Sequence, residues 1–108
     1  MKEITQEYDE FIEKLNMILP IKAYPTKELI QIMKSKRIVA DSTTELTISK
    51  LFNSGDLGGI LCEIFWISEN EVIMCGLTHL IFKRETPLYN ELIEYQKRRV
   101  KRVKKLNR

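Results

Sequence analysis

Residues 58–82, GGILCEIFWISENEVIMCGLTHLIF, constrain this chain most. They form its longest run rich in β-branched and aromatic side chains, and Ser68, Glu69, Asn70 and Glu71 break it in two. Two such runs around a short polar break predict a β-hairpin. A lone hairpin is not stable in water, so the remaining elements must cover it.

Strand alternation fixes which residues share a face. With the turn at Ser68 to Glu71, Ile67 faces Val72, and Ile60, Cys62, Ile64 and Trp66 line up with Ile73, Cys75, Leu77, His79 and Ile81. Pairing Phe52 with Ile60 adds Leu46 and Ile48 to that apolar face. A one-residue slip would turn the apolar side chains of the first strand to the other side. The reverse face is mixed: Thr47, Ser49, Leu51, Leu61, Glu63, Phe65, Ile67, Val72, Met74, Gly76, Thr78 and Leu80. Its apolar end, around Phe65, Ile67, Val72 and Met74, calls for a cover: the last helix, a second copy in a homodimer, or another protein.

Before the hairpin, Ile4, Tyr8, Phe11, Ile12, Leu15, Ile18 and Leu19 follow helical spacing, with acidic residues on the other side, until Pro20 stops the helix. Residues 21–25 read as a connector. Thr26 is the expected N-cap of a short second helix carrying Leu29, Ile30 and Met33. Ile38, Val39 and Ala40 read as a short strand or an extended exit, and residues 41–44 as a loop. Residues 45–52 favour a strand through Leu46, Thr47 and Ile48, although Ile48, Leu51 and Phe52 also fit a helical turn. After the hairpin, Thr86 and Pro87 are expected to open a long last helix with an apolar stripe of Leu88, Leu92, Tyr95, Val100, Val103 and Leu106. The fold expected is α+β, in the order α-α-β-β-β-α: two N-terminal helices, a three-stranded antiparallel meander and a long basic C-terminal helix. The alternative makes residues 43–53 a helix and the chain a winged helix-turn-helix. Lys50 would then be the only cation on its recognition helix, which argues against DNA reading.

A chain of 108 residues is one domain, and residues 97–108 read as its basic helical extension. That segment holds eight Lys or Arg and no acid: Lys97, Arg98, Arg99, Lys101, Arg102, Lys104, Lys105 and Arg108. The other 96 residues carry ten basic side chains against fifteen acidic ones, so the net charge of +3 conceals an acidic body with a basic arm. Clustered cations attract phosphate chains by counterion release, so these eight residues are the expected nucleic-acid or ribonucleoprotein contact, RNA or DNA. The competing reading is a helix end that balances the acidic body or meets an acidic partner. A membrane surface fits less well, because the stripe lacks Trp and Phe. Deletion of residues 97–108 is expected to abolish binding.

Catalytic and cofactor signals are weak, and the chain reads as a non-catalytic module with no cofactor and no metal. Residues 53–59 are rich in glycine, yet they lack the Gly-Lys-Ser/Thr ending of a P-loop and lead into a strand. Cys62, Cys75 and His79 match no zinc spacing, and buried thiols are the simpler reading. Glu63 among Ser49, Gly76 and Thr78 resembles a shallow polar groove but completes no triad. The second function expected is a protein-interaction or assembly factor, with a homodimer as one form of it, using Glu63, Phe65, Ile67, Met74 and Thr78 on the mixed sheet face. No apolar run approaches the ~20 residues of a membrane span. Met1 to Ile4 lead into acidic residues rather than the apolar core of a signal peptide, so a cytoplasmic or other intracellular location is expected.

Overall fold

The computed structural model describes residues 4–66 and 71–106. Their order is α1 (Ile4–Asn16), β1 (Ile21–Pro25), α2 (Lys27–Ser35), β2 (Leu46–Asn53), α3 (Gly55–Gly58), β3 (Ile60–Trp66), β4 (Glu71–Gly76), a 3-10 turn (Leu77–His79), β5 (Leu80–Ile81) and α4 (Tyr89–Leu106). The fold is α+β, as the residue pattern predicts. The sheet, however, has five antiparallel strands in the order β4-β3-β2-β1-β5, so the expected meander is only its centre and one side. Residues 43–53 are not a helix, which removes the winged helix-turn-helix.

The strand order forces curvature. Neighbouring strands lie ~4.8 Å apart, so a flat sheet would separate β4 from β5 by ~19 Å. The chain from Gly76 to Leu80 can span at most ~14 Å when extended, and here it coils into a 3-10 turn. The sheet therefore curls, bringing its two ends together. Inside the curl, Ile21, Ala23, Leu46, Ile48, Ile60, Cys62, Ile64, Ile73 and Cys75 are buried. Tyr8, Ile12 and Leu15 of α1, Leu29 and Met33 of α2, and Leu92 and Tyr95 of α4 complete this core. Each large aliphatic side chain fully buried there contributes roughly 1.5–3 kcal/mol.

The expected hairpin faces survive a register error. Phe65 faces Val72, Cys62 faces Cys75 and Trp66 faces Glu71, a slip of two residues from the pairing of Ile67 with Val72. Because strand sidedness repeats every two residues, Ile60, Cys62, Ile64, Ile73 and Cys75 face inward as expected; the Trp66 side chain lies outside the described residues. Between β2 and β3 the outcome differs. Ile48 faces Ile64, but a bulge follows, so Leu51 faces Cys62 and Phe52 faces Leu61. The extra residue turns Leu51 into the core and leaves Phe52 42% exposed on the reverse face, opposite to expectation. The 3-10 turn has the same effect further on: Leu80 is buried and Ile81 exposed.

Residues 21–25 are a strand rather than a connector, pairing with β2 through Ile21–Ile48 and Ala23–Leu46 and with β5 through Tyr24–Ile81. Pro25 is tolerated because it ends the strand. Thr26 does cap α2, accepting from the Leu29 N–H at 3.4 Å. Its own hydroxyl donates to the His79 carbonyl at 2.9 Å, tying α2 to the 3-10 turn. At the other end of α2, Arg37 has φ 64° and the Ile38 N–H reaches the Met33 carbonyl at 2.8 Å. This is a Schellman closure, with an arginine where glycine is usual. It makes Ile38 an exit rather than a strand. The last helix begins at Tyr89, after a turn that contains Thr86 and Pro87 and a Leu88 at φ 61°.

Candidate nucleic-acid interface

The helix α4 carries the basic cluster, and its phase decides what each cation does. Leu92, Tyr95 and Arg99 are its buried residues. They follow 3–4 spacing on one face. Val100, expected in the apolar stripe, lies off that phase and is 48% exposed. Arg99 takes the core position and is only 6% exposed.

A buried guanidinium needs acceptors, and the residue 53–59 turn supplies them. Arg99 Nη1 donates to the Asp56 carbonyl at 2.5 Å and the Tyr8 hydroxyl at 3.3 Å, and Nη2 donates to the Leu57 carbonyl at 2.6 Å. The cation thus closes the carbonyl end of α3, where the backbone leaves acceptors unpaired. Gly59 has to be glycine for two reasons. Its φ is +69°, and a Cβ there would stand 2.7 Å from Arg99 Nε and 2.8 Å from the Tyr95 hydroxyl. That hydroxyl accepts from the Ile60 N–H at 2.8 Å. Burial pushes the Tyr95 phenol up to about 12, against the opposing pull of this N–H. Tyr8 meets the Tyr95 ring edge-on at 5.6 Å. Asn53 completes the knot, donating to the Thr5 carbonyl at 2.7 Å and the Asp9 carboxylate at 2.8 Å. The glycine-rich segment is therefore a structural clasp between α1, α4 and the sheet. Its carbonyls point at a cation, the reverse of a phosphate cradle.

Two more arginines contact neighbouring elements, Arg102 half-buried and Arg98 exposed. Arg102 makes a two-pronged contact with the Asp56 carboxylate, with Nε to Oδ1 at 2.9 Å and Nη2 to Oδ2. Hydrogen bonding to Arg102 holds the Asp56 carboxyl below the usual carboxylate range. Arg98 pairs with Glu7 of α1 at 3.4 Å, and Lys14 pairs with Glu91 at 3.6 Å. Between α1 and α4 runs a groove of about 630 Å³ with Ile4, Tyr8, Phe11 and Tyr95 on its floor.

The lysines behave differently. Lys97, Lys101, Lys104 and Lys105 are all exposed. Spaced by four, three and one residues, they form one exposed stripe beyond the Leu92–Tyr95–Arg99 face, and its Lys101 and Lys105 also border the groove between α1 and α4. None of the four makes an ion pair among the described residues. Arg108 lies outside the described residues. Of the eight cations expected to act together, three are thus turned to α1 and α3 and four face solvent.

The second candidate surface is the reverse face of the sheet. Phe65 and Met74 lie on it, 36% and 49% exposed, with Val72 at 53%. Glu63 sits between them, facing Lys50 across the strands and accepting from Ser49 Oγ at 3.2 Å. Met74 is its partner in β4. Thr78 belongs to the 3-10 turn instead, and Ile67 lies outside the described residues. Cys62 and Cys75 are directly opposed buried thiols with sulfurs 3.6 Å apart. Hydrogen bonding to Cys75, then burial, pushes the Cys62 thiol far up, so it resists becoming a thiolate. His79 is carried off that face by the 3-10 turn, and its Nδ1 is buried with no hydrogen-bond partner among the described residues. No group of three His, Cys, Asp or Glu among the described residues is placed to hold a metal. No helix among them is long and apolar enough to cross a membrane.

No protein-family model, curated protein or solved structure matches this chain.

Proposed function

We propose that this protein is a small non-catalytic module that binds the phosphate backbone of a nucleic acid, free or within a ribonucleoprotein, through the exposed lysine stripe of α4. The observation that carries this reading is the placement of Lys97, Lys101, Lys104 and Lys105 on one solvent-facing side without acidic partners among the described residues. The stripe covers ~12 Å of helix axis. A duplex presents about seven phosphates over that length. Lysines act here as point charges, without the bidentate geometry of arginine, and among the described residues no exposed aromatic row accompanies them to stack bases. The reading is therefore of sequence-independent binding.

The clean test replaces the four lysines together by glutamine and measures anisotropy of a labelled homopolymeric RNA and of a DNA duplex against salt. Removing residues 97–108 outright would also remove Arg99 and Arg102, and so would confound binding with folding. Four neutralised phosphates give a log–log salt slope of roughly −2.8 for a single strand and −3.6 for a duplex. The quadruple variant should lose both the affinity and the slope. Salt-independent binding, or binding untouched by the four substitutions, rejects the reading.

A second reading rests on the exposed Phe65, Val72 and Met74 on the reverse sheet face. An apolar patch around Glu63, whose carboxylate accepts from Ser49, fits a protein partner. A Phe65→Asp variant should abolish that contact.

A further inference from the structure

The strand β4 ends the sheet. It pairs with β3 on one side, and among the described residues no strand pairs with the other. Such an edge presents a row of backbone donors and acceptors with nothing bonded to them. Edge strands are commonly blunted by lysine, proline, a bulge or shortness. The sequence of β4, Glu-Val-Ile-Met-Cys-Gly, has no lysine or proline, runs six residues and keeps unbroken register with β3. The opposite edge is different. The strand β5 has two residues, and Gln96 of α4 donates its side-chain amide to the Leu77 and Leu80 carbonyls at 2.9 and 2.7 Å. One edge is therefore short and tied to α4, while the other is long and, among the described residues, unpaired.

We infer that β4 pairs antiparallel with β4 of a second copy, making a two-fold dimer with one continuous sheet. This rests on the reading of the reverse sheet face as an interaction surface, and names its partner. The long free edge among the described residues is then its own complement, and a two-fold operation closes the pair without leaving another such edge to propagate. The register follows from sidedness. Directly opposed residues must share a face, so an even residue faces an even one. Centring the pair on Ile73 sets Ile73 against its partner's Ile73 on the core side, and Val72 against its partner's Met74 on the reverse side. Centring it on Met74 would oppose Val72 to Gly76, which offers no side chain.

The reverse face then gains an unbroken row across the junction. Phe65 faces Val72 within one copy, and Val72 faces the partner's Met74, which faces the partner's Glu63. Within its own copy Glu63 accepts from Ser49 Oγ and lies opposite Lys50 in the strand register. Pairing through a six-residue edge strand is a limited contact, so the dimer is expected in the weak, concentration-dependent class.

Sedimentation of the intact chain from micromolar to millimolar concentration should show a monomer–dimer equilibrium. Met74→Lys should raise the dissociation constant by about thirtyfold or more while leaving the circular dichroism spectrum unchanged. A Val72→Cys, Met74→Cys double variant should give a covalent dimer with a short bismaleimide, above the wild-type background from Cys62 and Cys75. Met74→Cys alone should give much less. A chain that stays monomeric throughout overturns the inference. If Phe65→Asp breaks a dimer that Met74→Lys and the cysteine pair leave untouched, edge pairing fails while the face remains an interaction surface. If Ile81→Lys is what breaks it, the partner uses the β5 edge and the inference fails too.

Discussion

The arginines and lysines of α4 lie within nine residues of each other and do opposite jobs. Arg98, Arg99 and Arg102 turn toward α1 and α3. Lys97, Lys101, Lys104 and Lys105 turn to solvent. The division follows from their chemistry. A guanidinium is weakly hydrated and carries five donors in a flat fork, so it can satisfy several carbonyls at once inside a fold. An ammonium is a compact, strongly hydrated charge that is cheapest left in water. A cluster that reads as a single basic arm is thus a structural clasp and a separate charged stripe, wound on the same helix.

The sharpest way to break this division is at Arg99. Its replacement by leucine, Arg99→Leu, keeps an apolar body in the core but strands the Asp56 and Leu57 carbonyls and the Tyr8 hydroxyl, each paired with it now. Stranding buried acceptors costs about 1–3 kcal/mol apiece, with water expected to rescue part of that. We expect a loss of about 3 kcal/mol, roughly 15 °C in Tm, read by urea and thermal unfolding. Affinity for RNA measured on the folded fraction should be unchanged. An Arg99→Leu variant as stable as wild type would mean that the clasp contributes nothing.

The lysines give the converse. Neutralising all four should leave the urea midpoint within ~0.5 kcal/mol of wild type, yet remove the salt-dependent binding. Wild-type affinity should fall about fifty- to a hundred-and-fifty-fold between 50 and 200 mM salt. Arg98→Gln should change neither quantity much, because an exposed ion pair such as Arg98–Glu7 contributes ~0–1 kcal/mol. A large fall in binding on removing Arg98 would move it from the clasp to the stripe.

Much of this arrangement is legible in the sequence, and the exceptions have physical reasons. Period-two alternation in residues 60–66 and 71–76 identifies the core face even with the register wrong by two, since sidedness is insensitive to an even slip. The bulge in β2 has no such signature: no glycine or proline marks it, and it exchanges Leu51 with Phe52. Strand β1 is hidden by Ala23 and Pro25, poor strand formers that are admitted because β2 and β5 pair with them. Arg99 was discoverable. Leu92, Tyr95, Arg99, Val103 and Leu106 keep 3–4 spacing, and only the prior that arginine is exposed sends the stripe through Val100 instead. Nothing in a charge count distinguishes a cation that faces a carbonyl from one that faces water.

The least disruptive probe of the clasp is pH. Asp56 is hydrogen-bonded to Arg102, which lowers its pKa in the folded state. Such a carboxylate contributes stability that is fully present above its unfolded-state pKa. That contribution is lost as pH falls through the lower folded-state value. Arg102, whose pKa the same contact raises, keeps its charge throughout this acid range. Asp56→Asn should therefore be somewhat less stable than wild type at neutral pH, and the gap should close as pH drops below the usual carboxylate range. Comparing the two proteins is essential, because Glu28 and Asp41 also have lowered pKa values and weaken the fold in acid by the same logic. Their effect is common to both chains and cancels in the difference. Arg102→Gln should reproduce the closing gap, and the double variant should add little, since both substitutions remove one contact. Asp56→Asn keeps the backbone carbonyl that Arg99 holds, so the absence of any gap at neutral pH would show that Asp56 acts through that carbonyl alone and that the clasp is held by Arg99 without the second arginine.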